Sequence, residues 1–241
     1  EDVFAAGTYG KGRAVLLRDS LLSYHMDRVV EKEGAARRMM EGLLTAVPPR
    51  FSATGDFGLE THSFANGGVH IVALHSNPEL RIDELGPPEF QSNERFAKQK
   101  QASVRLNAPA YVYDIRAGKP LGRLARIDAV VEAYEPRIFA VSPAPLPDLV
   151  IAAPARAGRG TTAEFGIRFA GATPAARHVF HVEMVDPSGN AVRHYSGNLP
   201  APEGTARHAL PLARNDPPGR WQMRVHDLLS GQKQSVAFEV E

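Results

Sequence analysis

Ala163-Glu-Phe-Gly-Ile-Arg-Phe169 sets Phe165, Ile167 and Phe169 at every second position, with polar or small residues between them. A period of two marks a strand that buries one face and shows the other to water. The same alternation recurs in Phe180/Val182/Met184, Trp221/Met223/Val225 and Val236/Phe238/Val240. With the shorter runs Leu149–Ala155, Asn190–Tyr195 and Arg207–Leu212, residues 148–241 hold about seven strands. That number predicts an immunoglobulin-like β-sandwich, without the inter-sheet disulfide of antibody domains because the chain has no cysteine. Trp221, the only tryptophan, falls on the apolar side of its strand and is assigned to the core, away from any sugar-stacking surface. Asp186-Pro-Ser-Gly189 suits a type I turn with Gly189 in the left-handed region. A three-residue loop there sets Glu183 opposite Arg193 and His181 opposite Tyr195 as surface pairs. His181 has neither a nucleophile nor an orienting partner in its own stretch, so no catalytic role is assigned to it.

Upstream, Ser142-Pro-Ala-Pro-Leu-Pro-Asp148 reads as a stiff extended linker and marks a domain boundary. Residues 49–142 alternate again and predict a second antiparallel β-sandwich. His62 to Leu74 reads as a hairpin turning at Asn66-Gly67, because Asn-Gly supplies positive φ. Tyr111, Tyr113 and Ile115 line one face of a strand that turns at Ala117-Gly118-Lys119-Pro120. Asn77 to Gln101 is a long polar excursion of mixed charge, expected to be a mobile or bridging loop. Strand parity puts His70 and His75 on opposite faces, and no carboxylate or further histidine completes a ligand set with them and His62. No metal site is therefore assigned.

All 19 prolines lie from Pro48 onward, so residues 1–48 are free to open as a strand and helix. Arg13-Ala-Val-Leu-Leu17 reads as a short buried strand, and Asp19 or Ser20 caps a helical face that runs from Leu22 to Val47, as one long helix or as two short ones broken at Gly34. The glycines of Gly7-Thr-Tyr-Gly10-Lys-Gly12 lack the spacing of a phosphate loop and precede a strand, so a tight turn is expected there. The fold class is thus mainly β: a short strand-helix segment (1–48) and two antiparallel sandwiches (49–142 and 148–241).

The charges exclude several functions. The 28 basic and 27 acidic residues are balanced in every segment: seven against seven to residue 47, eleven against eleven to 147, ten against nine beyond. No basic field is present to hold nucleic acid. No run of about 18 apolar residues is present to span a membrane as a helix. Without cysteine there is no thiolate nucleophile or cysteine zinc site.

Three stretches resemble a known family. Tyr9-Gly-Lys-Gly-Arg-Ala-Val-Leu-Leu17, with the helix around Tyr24 and Arg28, is similar to the closing part of the amidotransferase-like trimerisation domain of β-galactosidase-like glycoside hydrolases. Ala110-Tyr-Val-Tyr-Asp-Ile-Arg-Ala-Gly-Lys-Pro-Leu-Gly122, with Ile138-Phe-Ala-Val141, resembles the small antiparallel domain that closes such enzymes. Asp186 to Gly197 and Asn215-Asp-Pro-Pro-Gly-Arg-Trp221 resemble the appended immunoglobulin-like domains of large secreted bacterial proteins. The resemblance implies the C-terminal region of a longer, exported polypeptide, whether periplasmic, surface-bound or secreted. It carries no catalytic residue onto this sequence.

The expectation is a non-catalytic accessory or scaffolding region, with no catalytic residue, metal or cofactor. Its expected partners are the remainder of the polypeptide, a second copy of the chain and a polysaccharide. One rival is a carbohydrate-binding module, which needs a row of exposed aromatics; Tyr111, Tyr113, Tyr134 and Tyr195 are its candidates. The other is a protein-interaction or adhesion module using the edge of the terminal sandwich or the 77–101 loop.

Overall fold

The computed structural model describes residues 4–17, 41–42, 50–56, 58–76, 98–172 and 175–241. It is mainly β. In chain order the strands are β1 (Phe4–Tyr9), β2 (Gly12–Leu17), β3 (Phe51–Gly55), β4 (Leu59–Asn66), β5 (Val69–Ser76), β6 (Lys100–Asp114), β7 (Lys119–Val131) and β8 (Arg137–Ser142). After the linker follow β9 (Leu149–Ala152), β10 (Arg156–Ala157), β11 (Thr162–Phe169), β12 (His178–Val185), β13 (Gly197–Ala201), β14 (Thr205–Pro211), β15 (Gly219–Asp227) and β16 (Lys233–Val240). The expected helix over 19–47 lies outside the described residues except for 41 and 42, which are helical. The 77–101 excursion lies outside them up to residue 97, and its last two residues begin β6.

The chain forms two compact units. Unit 1 comprises Glu1–Glu60, His75–Asn107 and Asp128–Glu135; unit 2 comprises Thr61–Leu74, Ala108–Ile127 and Pro136–Glu241. In unit 1, β1 and β2 form a hairpin from Phe4↔Leu17 to Tyr9↔Gly12, turning at Gly10 with φ 59°. The tight turn is as expected, but Leu16 is 65% exposed, so β2 is not the buried strand its apolar run implies. Its described pairing is with β1 alone, and a two-stranded ribbon offers no second layer to cover a side chain. Also in unit 1, β3 pairs antiparallel with the first half of β6, burying Ala102, Val104 and Leu106 at every second position.

In unit 2 the second half of β6 pairs with β8, β8 with β5, and β5 with β4. The β4–β5 hairpin turns at Gly67-Gly68, one residue beyond the expected centre, with Gly67 at φ 62°. The rest of unit 2 is a sandwich of a five-stranded sheet, β10-β16-β15-β12-β13, facing a three-stranded sheet, β14-β11-β9. Its pairs are antiparallel except β10 with β16. The inward phase of each strand meets in one core: Phe165, Ile167 and Phe169 from one sheet, and Phe180, Met184 and Trp221 from the other, all at most 5% exposed. The Trp221 indole N–H donates to Pro217 O (2.9 Å), which satisfies the one polar atom this ring brings inside.

The Asp186 turn forms as expected, with Gly189 N donating to Asp186 O and Gly189 at φ 85°. The pairs expected beyond it do not form. Pairing holds only as far as the Val185↔Ala191 bridge, and a 3-10 turn at Arg193–Tyr195 then shifts the register. His181 consequently faces Asn198, and Glu183 reaches Arg224 on β15 (3.0 Å). Tyr195 turns inward, where its hydroxyl donates to Asp216 (2.8 Å) and accepts from Ala213 N. A buried, hydrogen-bonded tyrosine is held more firmly there than an exposed cross-strand partner would be.

Phe180 is fully buried and packs edge-on against Phe169 at 5.9 Å. Phe180→Ala should destabilise the chain by about 3–5 kcal/mol in urea denaturation. Val179→Ala, one residue away and exposed, should stay within about 0.5 kcal/mol.

Candidate functional site

Three chemistry-bearing side chains meet inside unit 2. His178 opens β12, Asp227 closes β15, and Ser230 lies in the turn that leads to β16. The Asp227 carboxylate accepts from His178 Nδ1 (3.0 Å), Ser230 Oγ (2.5 Å) and the Ser230 backbone N–H (3.0 Å). His178 therefore carries its proton on Nδ1, as the carboxylate dictates. All three residues are at most 2% exposed. The order is serine–carboxylate–imidazole: the serine hydroxyl donates to the carboxylate and not to the imidazole. The Ser230 hydroxyl and backbone N–H both bind one carboxylate that His178 also holds, and this ties the turn to the start of β12.

The same turn meets the neighbouring sheet within unit 2. Gly231 (φ 77°) lies so near Gly118 that a Cβ on it would fall 2.2 Å from the Gly118 carbonyl carbon. Gln232 grips the proline linker: its Nε2 donates to Pro147 O (2.8 Å) and Leu146 O (3.2 Å), while its Oε1 accepts from Leu149 N (2.9 Å). The Tyr113 hydroxyl accepts from Leu146 N (2.8 Å), and burial pushes its pKa up. At the other end of the sheet, the Asn66 amide makes a two-way bond with the Arg177 backbone (3.0 and 2.9 Å). Beside it, Gly68 N donates to Ala175 O. Val69, Tyr113, Ala140, Leu146, Ala176 and Leu229 fill the space between these contacts. Asp114, 1% exposed, is held by Ala117 N (2.9 Å) and the Arg137 guanidinium.

A second feature lies on the outer face of the five-stranded sheet. His181, Glu183, Arg224, His226, Lys233 and Ser235 line a concave surface of about 430 Å³. They occupy the outward phase of β12, β15 and β16. Burial lowers the pKa of His226, with the nearby Lys233 ammonium adding to the effect.

Three of the four sugar-stacking candidates are wholly or partly buried. Tyr113 and Tyr195 are buried and Tyr111 partly so; Tyr134 alone of the four is exposed, at 64%. In unit 1, Glu60 stands 3.6 Å from His75, so a carboxylate does lie beside one of these histidines, contrary to the expectation. Sequence reasoning also missed His178 and Asp227, though a signal was there. Each is the polar member of an otherwise apolar alternating phase, His178 before Phe180 and Asp227 after Val225.

No protein-family model matches this chain, and no curated protein does. Among solved structures it is similar to a red sea bream transglutaminase at 14% identity and a TM-score of 0.29. That likeness spans 87% of this chain and 34% of the other, and at such a score it carries no argument. No helix among the described residues is long and apolar enough to cross a membrane.

Asp227→Ala should strand His178 in the core and cost about 3–5 kcal/mol by urea denaturation; a loss under about 1 kcal/mol would refute the locked turn. A second expectation concerns pH. Burial lowers the pKa of both His208, which packs on Phe165, and His226, so the unfolded chain binds their protons first. Stability should fall as pH drops below about 6.5, and H208Q/H226Q should flatten the decline of Tm between about pH 6.5 and 5.5.

Proposed function

We propose that this chain is a non-catalytic accessory region of a larger exported bacterial protein, carbohydrate-active and of the β-galactosidase-like kind its sequence resembles. The terminal sandwich would be immunoglobulin-like. Its task would be to hold neighbouring parts of that protein at a set spacing. One observation carries this reading: the enclosed acid, base and nucleophile groups of unit 2, at most 2% exposed, are engaged in holding turns and strands together. His178, Asp227 and Ser230 lock the β15–β16 turn, and Asp114 is occupied by Arg137 and Ala117. The linker beside them is held by hydrogen bonds to Tyr113 and Gln232. A spacer needs such fixing; an enzyme needs the same groups facing a cleft.

A chromogenic glycoside panel tests the reading. The chain alone should turn over none of the substrates. Hydrolysis that disappears on a single Asp→Asn or Glu→Gln substitution would overturn it.

A further inference from the structure

The concave surface on the outer face of β12, β15 and β16 borders the junction at His226, whose ring lies beside Gly118. We propose that it binds a carboxylate-bearing saccharide of the uronic-acid type, with Lys233 as the partner of the carboxylate. The saccharide part of this inference rests on the accessory reading above; the anionic part rests on the surface alone.

The size fits. A volume of about 430 Å³ lies inside the range of roughly 300–1,000 Å³ common to small-molecule sites. The charges choose the ligand. Arg224 is committed, its Nη1 to Glu183 (3.0 Å) and its Nε to Gln222 (2.9 Å). That pair cancels, and Lys233 has no carboxylate partner among the described residues. A surplus of one cation matches one carboxylate better than a doubly charged phosphate. Hydroxyl partners stand alongside. The His226 ring forms one wall, with its Nε2 shielded from solvent beside Gly118 and so outside the ligand's reach. His181 engages Asn198 through Nδ1 (2.8 Å), which leaves its other ring nitrogen for a ligand. Ser235 adds a hydroxyl at the rim. Phe, Tyr and Trp are missing from the lining, so stacking, on which recognition of neutral sugars relies, is not offered. Discrimination there falls to charge and hydrogen bonds.

Calorimetric titration of the whole chain tests this with trisaccharides of galacturonate, glucuronate and mannuronate as probes. Neutral galactotriose and inorganic phosphate serve as comparisons. At least one uronate should bind, at least about fivefold more tightly than galactotriose or phosphate, and more weakly as salt rises. Lys233→Gln should weaken that binding at least about fivefold, Lys233→Arg should restore most of it, and both variants should keep the parent's thermal midpoint. No binding by any uronate, or binding unchanged in Lys233→Gln, overturns the proposal. Equal binding of galactotriose overturns the carboxylate requirement, and equal binding of phosphate overturns the saccharide. None of these failures bears on the accessory reading, whose own test is glycoside turnover.

Discussion

The buried carboxylate of Asp227 is the constraint around which unit 2 is arranged. An ionised group taken wholly out of water must find its hydrogen bonds inside the protein. Asp227 finds them in a side chain from the start of β12 and in the turn that follows it. The turn is therefore drawn tight, and its tightness places Gly231 against Gly118 and Gln232 against the linker. Without that conformation the β16 strand would leave β15 along another path, and neither grip would form.

The core of the terminal sandwich was legible because alternation is a local property: Phe165, Phe180, Trp221 and Phe238 declare their faces within their own strands. The Asp186 turn was legible for the same reason. The expected pairs beyond it failed because a 3-10 turn at Arg193–Tyr195 has no mark as plain as a glycine or proline. Once three residues leave the ladder, every later pair moves. The junction was the least legible part. It depends on meetings between residues far apart in sequence, such as Asn66 with Arg177, which no local period encodes. Only the misplaced polarity of His178 and Asp227 hinted at it.

Chemistry is divided between the two sides of the five-stranded sheet. Inside, imidazole and carboxylate are enclosed and serve packing. Outside, a second imidazole and carboxylate, His181 and Glu183, stand on β12 in the phase opposite to His178 and face outward. The pleat alone separates them. One strand thus supplies a fixed interior and an open surface whose residues are free to vary without disturbing the core.

At Gly67 and Gly231 the two parts of unit 2 touch backbone to backbone, with no room for even a methyl group. A joint written in the absence of side chains is hard to reproduce by recombination. A different sandwich transplanted after the linker would need a carbonyl where Ala175 stands and a bare α-carbon where Gly231 stands. The terminal sandwich is modular in outline, yet it is not interchangeable: its inheritance is tied to the sheet it leans on.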